Sequence, residues 1–93
     1  MFASELVNQV RDSYLTIEQN RSFFSQRNRM IAEVDLIGHT EHSIDVYEVK
    51  CGYRISKARK QLYKIKKILG KVYNKRINLF FYHGGSGELI QIF

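Results

Sequence analysis

The sequence predicts an α/β domain: a central mixed sheet flanked by helices, in the order αβββαββ. Two separate stretches carry apolar residues at helical steps of three and four. Shorter alternating stretches lie between and after them. The chain has 93 residues, no proline and no linker-like segment, so residues 1–93 are read as one domain. At this length the core must be compact, and dimerisation would bury further surface.

The first helix is expected from about Ala3 to Asn20, where Leu6, Val7, Val10, Tyr14 and Ile17 share one stripe. Ser4 caps or opens it, and Glu5 suits the positive end of the helix dipole. In "RSFFSQRNRM", Phe23 and Phe24 suggest the start of an edge strand. "MIAEVDLIG" alternates next, with Val34 and Leu36 on one face and Glu33, Asp35 and Ile37 on the other. "HTEHS" is a polar link, and "SIDVYEVKC" is a strand with Ile44, Val46, Glu48 and Lys50 on one face. These two strands make a hairpin.

From Arg54 to Val72 the period changes, and Ile55, Ala58, Leu62, Ile65, Leu69 and Val72 form an apolar stripe. Lys57, Lys60, Lys64, Lys67 and Lys71 fall on the opposite side, and Gly70 marks a frayed last turn. "RINLFFYH" and "ELIQIF" are two more strands joined by the turn "GGSG". The second helix is then a crossover that makes the strands before and after it parallel.

Net charge is +6, and it is unevenly distributed: Arg54 to Arg76 holds ten Lys or Arg and no acid. Such a block attracts polyanions, nucleic acid first among them. The single cysteine, Cys51, supports neither a disulfide framework nor a Cys-based zinc site within one chain, which fits a reducing, cytoplasmic setting. "MFASELVNQVRD" is amphipathic and carries Glu5 and Asp12, so it reads as neither a signal peptide nor a membrane span. His39 and His42 lack further ligands for a metal, and His83 is read as structural. "GGSG" lacks the lysine and helix of a P-loop. Tyr63, Tyr73, Phe80, Phe81 and Tyr82 are read as core or interface residues.

Asp35, Glu48 and Lys50 carry the chemistry. If the strands bring Asp35 and Glu48 together, two like charges converge and call for a cation. Oxygen donors of this kind suit Mg²⁺ or Mn²⁺. Lys50, on the face of Glu48, would then position a water or offset charge on a phosphate.

"EVDLIG" followed by "DVYEVKCG" resembles the PD-(D/E)xK nuclease superfamily, nearest its archaeal Holliday-junction resolvase and RecB-like branches. Asp35 matches the acid of the first motif, and Glu48 and Lys50 match E-x-K. Val34 stands where a proline begins the motif elsewhere. The resemblance implies a restriction-endonuclease-like core, αβββαβ. It implies metal ligation by Asp35 and Glu48, with Glu5 of the first helix and the Val49 carbonyl; Glu18 is the reserve for Glu5. It implies a polar helper on the second helix, and Gln61 in "ARKQLYKIKK" is the match. Glu33 is a lesser candidate for the site. Arg27, Arg29, Arg54, Lys57, Lys60 and Lys64 are the expected DNA contacts. The expectation is a Mg²⁺-dependent deoxyribonuclease, structure-specific for junctions or flaps in replication, recombination or repair, and homodimeric. The competing expectations are a non-catalytic basic nucleic-acid-binding module and a protein-interaction subunit.

Overall fold

The computed structural model describes residues 2–52 and 55–93, the first four of them (2–5) by their backbone only. The elements run α1 (Phe2–Val10), a 3-10 turn (Arg11–Ser13), β1 (Thr16–Phe24), β2 (Met30–His39), β3 (Ser43–Lys50), α2 (Ile55–Val72), β4 (Arg76–His83) and β5 (Glu88–Ile92). The five strands form one mixed sheet in the order β1-β2-β3-β4-β5. β3 and β4 are parallel across the α2 crossover, and the other pairs are antiparallel. The expected order of elements is therefore present.

A helix covers each face. Leu6 and Val7 of α1 pack with Leu36, Tyr47 and Tyr82. Ala58, Leu62, Ile65 and Leu69 of α2 pack with Val34, Ile37, Ile44, Val46, Leu79 and Phe81 on the other face. This larger cluster dominates the burial, and each fully buried Leu or Ile adds roughly 1.5–3 kcal/mol. The helix runs through Gly70 to Val72, with the Tyr73 N–H bonded to the Leu69 carbonyl at 2.9 Å, so its last turn is formed rather than frayed. Val72 itself points away from the core, 71% exposed.

The first helix is shorter than its apolar spacing suggests. It stops at Val10, and Thr16 to Phe24 pairs with β2 as an edge strand. Tyr14 and Ile17 continue the helical spacing by coincidence; they reach the α1-side cluster from extended backbone. Phe23 and Phe24 accordingly end a strand rather than begin one.

Strict alternation also fails along β2. Val34 belongs to the α2-side cluster and Leu36 to the α1-side cluster, although they are two residues apart. Ile17 and Phe23 of β1 show the same switch. The fault lies between them. Asn20 has a left-handed backbone, φ 52°, and Asn20 and Asp35 drop out of the β1–β2 register, which shifts once more between Phe23 and Phe24 next to the turn. A residue in that region turns the chain by half a pleat, so the side chains beyond it change face.

A second anchor sits on the α1 side. The Tyr14 hydroxyl donates to Asp45 Oδ2 at 2.6 Å and is also hydrogen-bonded to the Tyr47 hydroxyl, while Asn78 Nδ2 donates to Asp45 Oδ1 at 2.8 Å. Burial, then the bond to Asp45, push the Tyr14 phenol far above its ordinary value, so it stays protonated and donating. Its ring lies flat against Gly38, where a Cβ would come within 2.5 Å of ring atoms. Because the hydroxyl is tied down, the ring cannot swing clear without losing those bonds. Gly38→Ala is expected to cost about 1–3 kcal/mol in urea unfolding. Adding Tyr14→Ala should make the two effects clearly non-additive.

Candidate active site

β3 begins in the core and ends at solvent. Ile44 and Val46 are fully buried, Glu48 is still only 3% exposed, and Lys50 is exposed. All four share the α2 face, and Tyr47 and Val49 take the other. The β2–β3 ladder runs from His39↔Ile44 to Leu36↔Tyr47 and stops there. One residue further, at the fault in β2, Asp35 replaces the missing backbone acceptor: its Oδ2 takes the Val49 N–H at 2.9 Å. The Lys50 carbonyl is held from the opposite side by the Gly84 N–H at 2.8 Å. The Glu48–Lys50 segment is thus pinned along both edges.

Asp35 and Glu48 meet at this point. Burial first, then the nearby Asp35 charge, push the Glu48 carboxyl up to about 7, and the Lys50 ammonium only partly offsets them. Lys50 Nζ lies 3.3 Å from Glu48 Oε1. The other oxygen, Oε2, is buried with no donor. Two arrangements satisfy such a pair: a proton shared between the carboxyls, or a cation held by both.

The carboxyl group opens onto a cleft of about 290 Å³ lined by Glu48, Lys50, Gly52, Lys57, Ala58 and Gln61. The expected residues Gln61 and Lys57 therefore reach it from the first turns of α2. Gln61 Nε2 donates to the Glu33 carbonyl, which ties the helix to β2. Glu33 contributes its backbone, while its side chain is exposed. Ala58 supplies the small surface that leaves the cleft open; its place in the apolar stripe gave no sign of that role.

Other candidates lie elsewhere. Lys60 and Lys64 are exposed on α2 but do not line the cleft. Arg27 and Arg29 occupy the β1–β2 turn, on the order of 20 Å along the strand from Asp35 at about 3.3 Å per residue. Glu18 is not on the first helix. It belongs to β1, where it pairs with His39 and Arg21. Burial pushes its carboxyl up, but hydrogen bonds from His39 and Arg21 outweigh that and hold it below its ordinary value. The Glu5 side chain and all of Arg54 lie outside the described residues. His83 is buried and bonded to Ser86, as a structural role requires.

Among the described residues, which leave out the Glu5 side chain, no cluster of three His, Cys, Asp or Glu side chains forms. No helix among them is long and apolar enough to cross a membrane. No protein-family model, curated protein or solved structure matches this chain.

A raised carboxyl pKa favours folding below the unfolded value of 4.5, and that contribution is lost as pH rises through about 7. Without divalent ions, Glu48→Gln should therefore gain stability relative to the parent between pH 5 and pH 8, by up to about 3 kcal/mol. Paired urea titrations in EDTA at the two pH values measure the difference.

Proposed function

We propose that this chain is a metal-dependent nuclease of the PD-(D/E)xK type that hydrolyses DNA phosphodiester bonds. The observation that carries the reading is the convergence of Asp35, Glu48 and Lys50 at one cleft, where a buried Glu48 oxygen lacks any donor. The order of elements from α1 to β4 supports it, being the αβββαβ of a restriction-endonuclease-like core.

The donor set fits a hard divalent cation. Asp35 and Glu48 would hold Mg²⁺ or Mn²⁺, with the Val49 carbonyl and Glu5 as further ligands. When bound, the ion supplies a water of lowered pKa and neutralises charge on the phosphate. Lys50 contributes independently: its ammonium stands at the cleft mouth, where it orients the attacking water and meets negative charge growing on the phosphoryl oxygens. Gln61 positions the reacting groups from the opposite wall, braced on β2. Lys57, Lys60 and Lys64 extend a cationic track from the cleft along α2, suited to a phosphate backbone. Branched DNA, a junction or a flap, is the substrate class of the resolvase-like reading. A homodimer would place two such sites at a fixed spacing, and β5, an open edge with exposed Leu89 and the neighbouring Phe93, is the surface for it.

The exposed lysines of α2 also suit a second reading, a basic module that binds nucleic acid without cutting it. Cleavage decides between the two. Labelled single strand, duplex, flap and four-way junction are incubated with protein in Mg²⁺, Mn²⁺ or EDTA. Metal-dependent cutting is expected, absent in Asp35→Asn and Glu48→Gln, with DNA binding in EDTA retained or tightened. Lys50→Ala should slow cutting by ~100-fold or more. Binding without cutting, unchanged in the carboxylate variants, would overturn the nuclease in favour of the module. On duplex DNA, each lysine neutralised among Lys57, Lys60 and Lys64 should reduce the slope of log affinity against log salt by about 0.9.

A further inference from the structure

The β1–β2 hairpin extends past the end of the β2–β3 ladder as an arm, and its tip combines two properties that rarely coincide on a free surface. It is apolar: Phe24 is 60% exposed and Met30 is 55% exposed, and they face each other across the last rung. Ile31 beside them is 38% exposed. It is also basic: from Gln19 to Ala32 there are three arginines and no acid. Arg21 is paired with Glu18 and lies over the Phe23 ring, but Arg27 and Arg29 have no acidic partner among the described residues. The tip is ordered. Ser25 N–H bonds the Arg29 carbonyl at 2.8 Å, Ser25 Oγ accepts from the Arg27 and Arg29 N–H groups, and Asn28 takes the left-handed turn conformation at φ 59°.

We propose that this tip is a wedge for unpaired nucleobases: Phe24 and Met30 stack on bases exposed where strands separate, while Arg27 and Arg29 hold the flanking phosphates. The inference rests on the DNA-acting reading above and adds which DNA it favours. Charge complementarity selects the occupant. Two arginines flank the apolar pair without acids, so a second copy of this strongly basic chain would bring like charges together, whereas a nucleic acid supplies both π-faces and anions. Apolar and aromatic side chains on a rigid arm are the means by which other proteins enter unstacked base steps. The arm also continues from β2, the strand that carries Asp35, so a base gripped there bears on where the strand crosses the cleft.

The test measures binding of the full chain in EDTA, where no cutting intervenes. Probes are a forked DNA with 2-aminopurine at the branch, a single strand, and a fully paired duplex of equal length. Phe24→Ala should weaken binding to the fork and the single strand by about tenfold and abolish quenching of the 2-aminopurine. It should change duplex affinity by less than about twofold, and Phe24→Trp should restore fork binding. Arg27→Ser with Arg29→Ser should weaken all three probes together. Unchanged fork affinity in Phe24→Ala, or equal loss on duplex, overturns the wedge. So does a fall in molar mass by light scattering in that variant, which would make the tip a protein interface. Circular dichroism of each variant checks that it is folded. Because no catalysis is read, the two proposals fail separately: the fork preference can stand if cleavage is never seen, and cleavage can stand without it.

Discussion

One hydrogen bond organises this molecule's candidate site: the Asp35 carboxylate accepting the Val49 N–H where the β2–β3 ladder ends. Were the ladder to continue, a backbone carbonyl would fill that role and the two strands would stay zipped. Because Asn20 turns β1 and Asp35 falls out of register, β2 changes face at this residue, and an acid is drawn toward the buried Glu48. The cleft, the carboxylate pair and the access of Lys50 all follow from that one interruption. The same interruption releases the hairpin arm from β3, so the site and the arm share a structural origin.

The arrangement is costly when nothing occupies it. A carboxylate that is almost wholly buried beside another acid, with one oxygen lacking a donor, opposes folding near neutral pH. The stabilising counterweight is the α2-side cluster, in which Leu62, Ile65, Ile44, Val46 and Phe81 are fully buried. Their burial surrounds Glu48 and also supplies the low-polarity setting that raises its pKa. The residues that stabilise the fold therefore also set the electrostatics of the carboxylate pair.

Much of this was legible in the residues. α2 and β3 to β5 follow from their periods and their glycine and polar breaks, and E-x-K on one face of β3 follows from alternation alone. Gln61, which the resemblance points to on α2, lines the cleft with Glu48 and Lys50. What failed did so for identifiable reasons. Tyr14 and Ile17 mimic a longer helix because their spacing fits either reading, and strand pairing with β2 decides it. The faces of Leu36 and Ile37 were inverted because periodicity cannot register a half-pleat fault; the one available signal was an asparagine, a residue tolerant of left-handed backbone, inside an otherwise strand-like stretch. Arg27 and Arg29, read as DNA contacts, lie in the turn at the tip of the arm rather than beside the cleft, a placement that residue type alone does not specify.

The lone parallel pair in the sheet has a kinetic consequence. Three of the four strand-to-strand connections are short turns, but β3 and β4 meet only after the 18-residue α2 has crossed between them. That closure loses more chain entropy than any hairpin here, so it completes late. Until then β3, central in the finished sheet, is an unprotected edge carrying Ile44 and Val46, and the Lys50 carbonyl still lacks its Gly84 partner. The half-assembled chain is therefore open to pairing with other chains, which ties its solubility during synthesis to the speed of a single crossover.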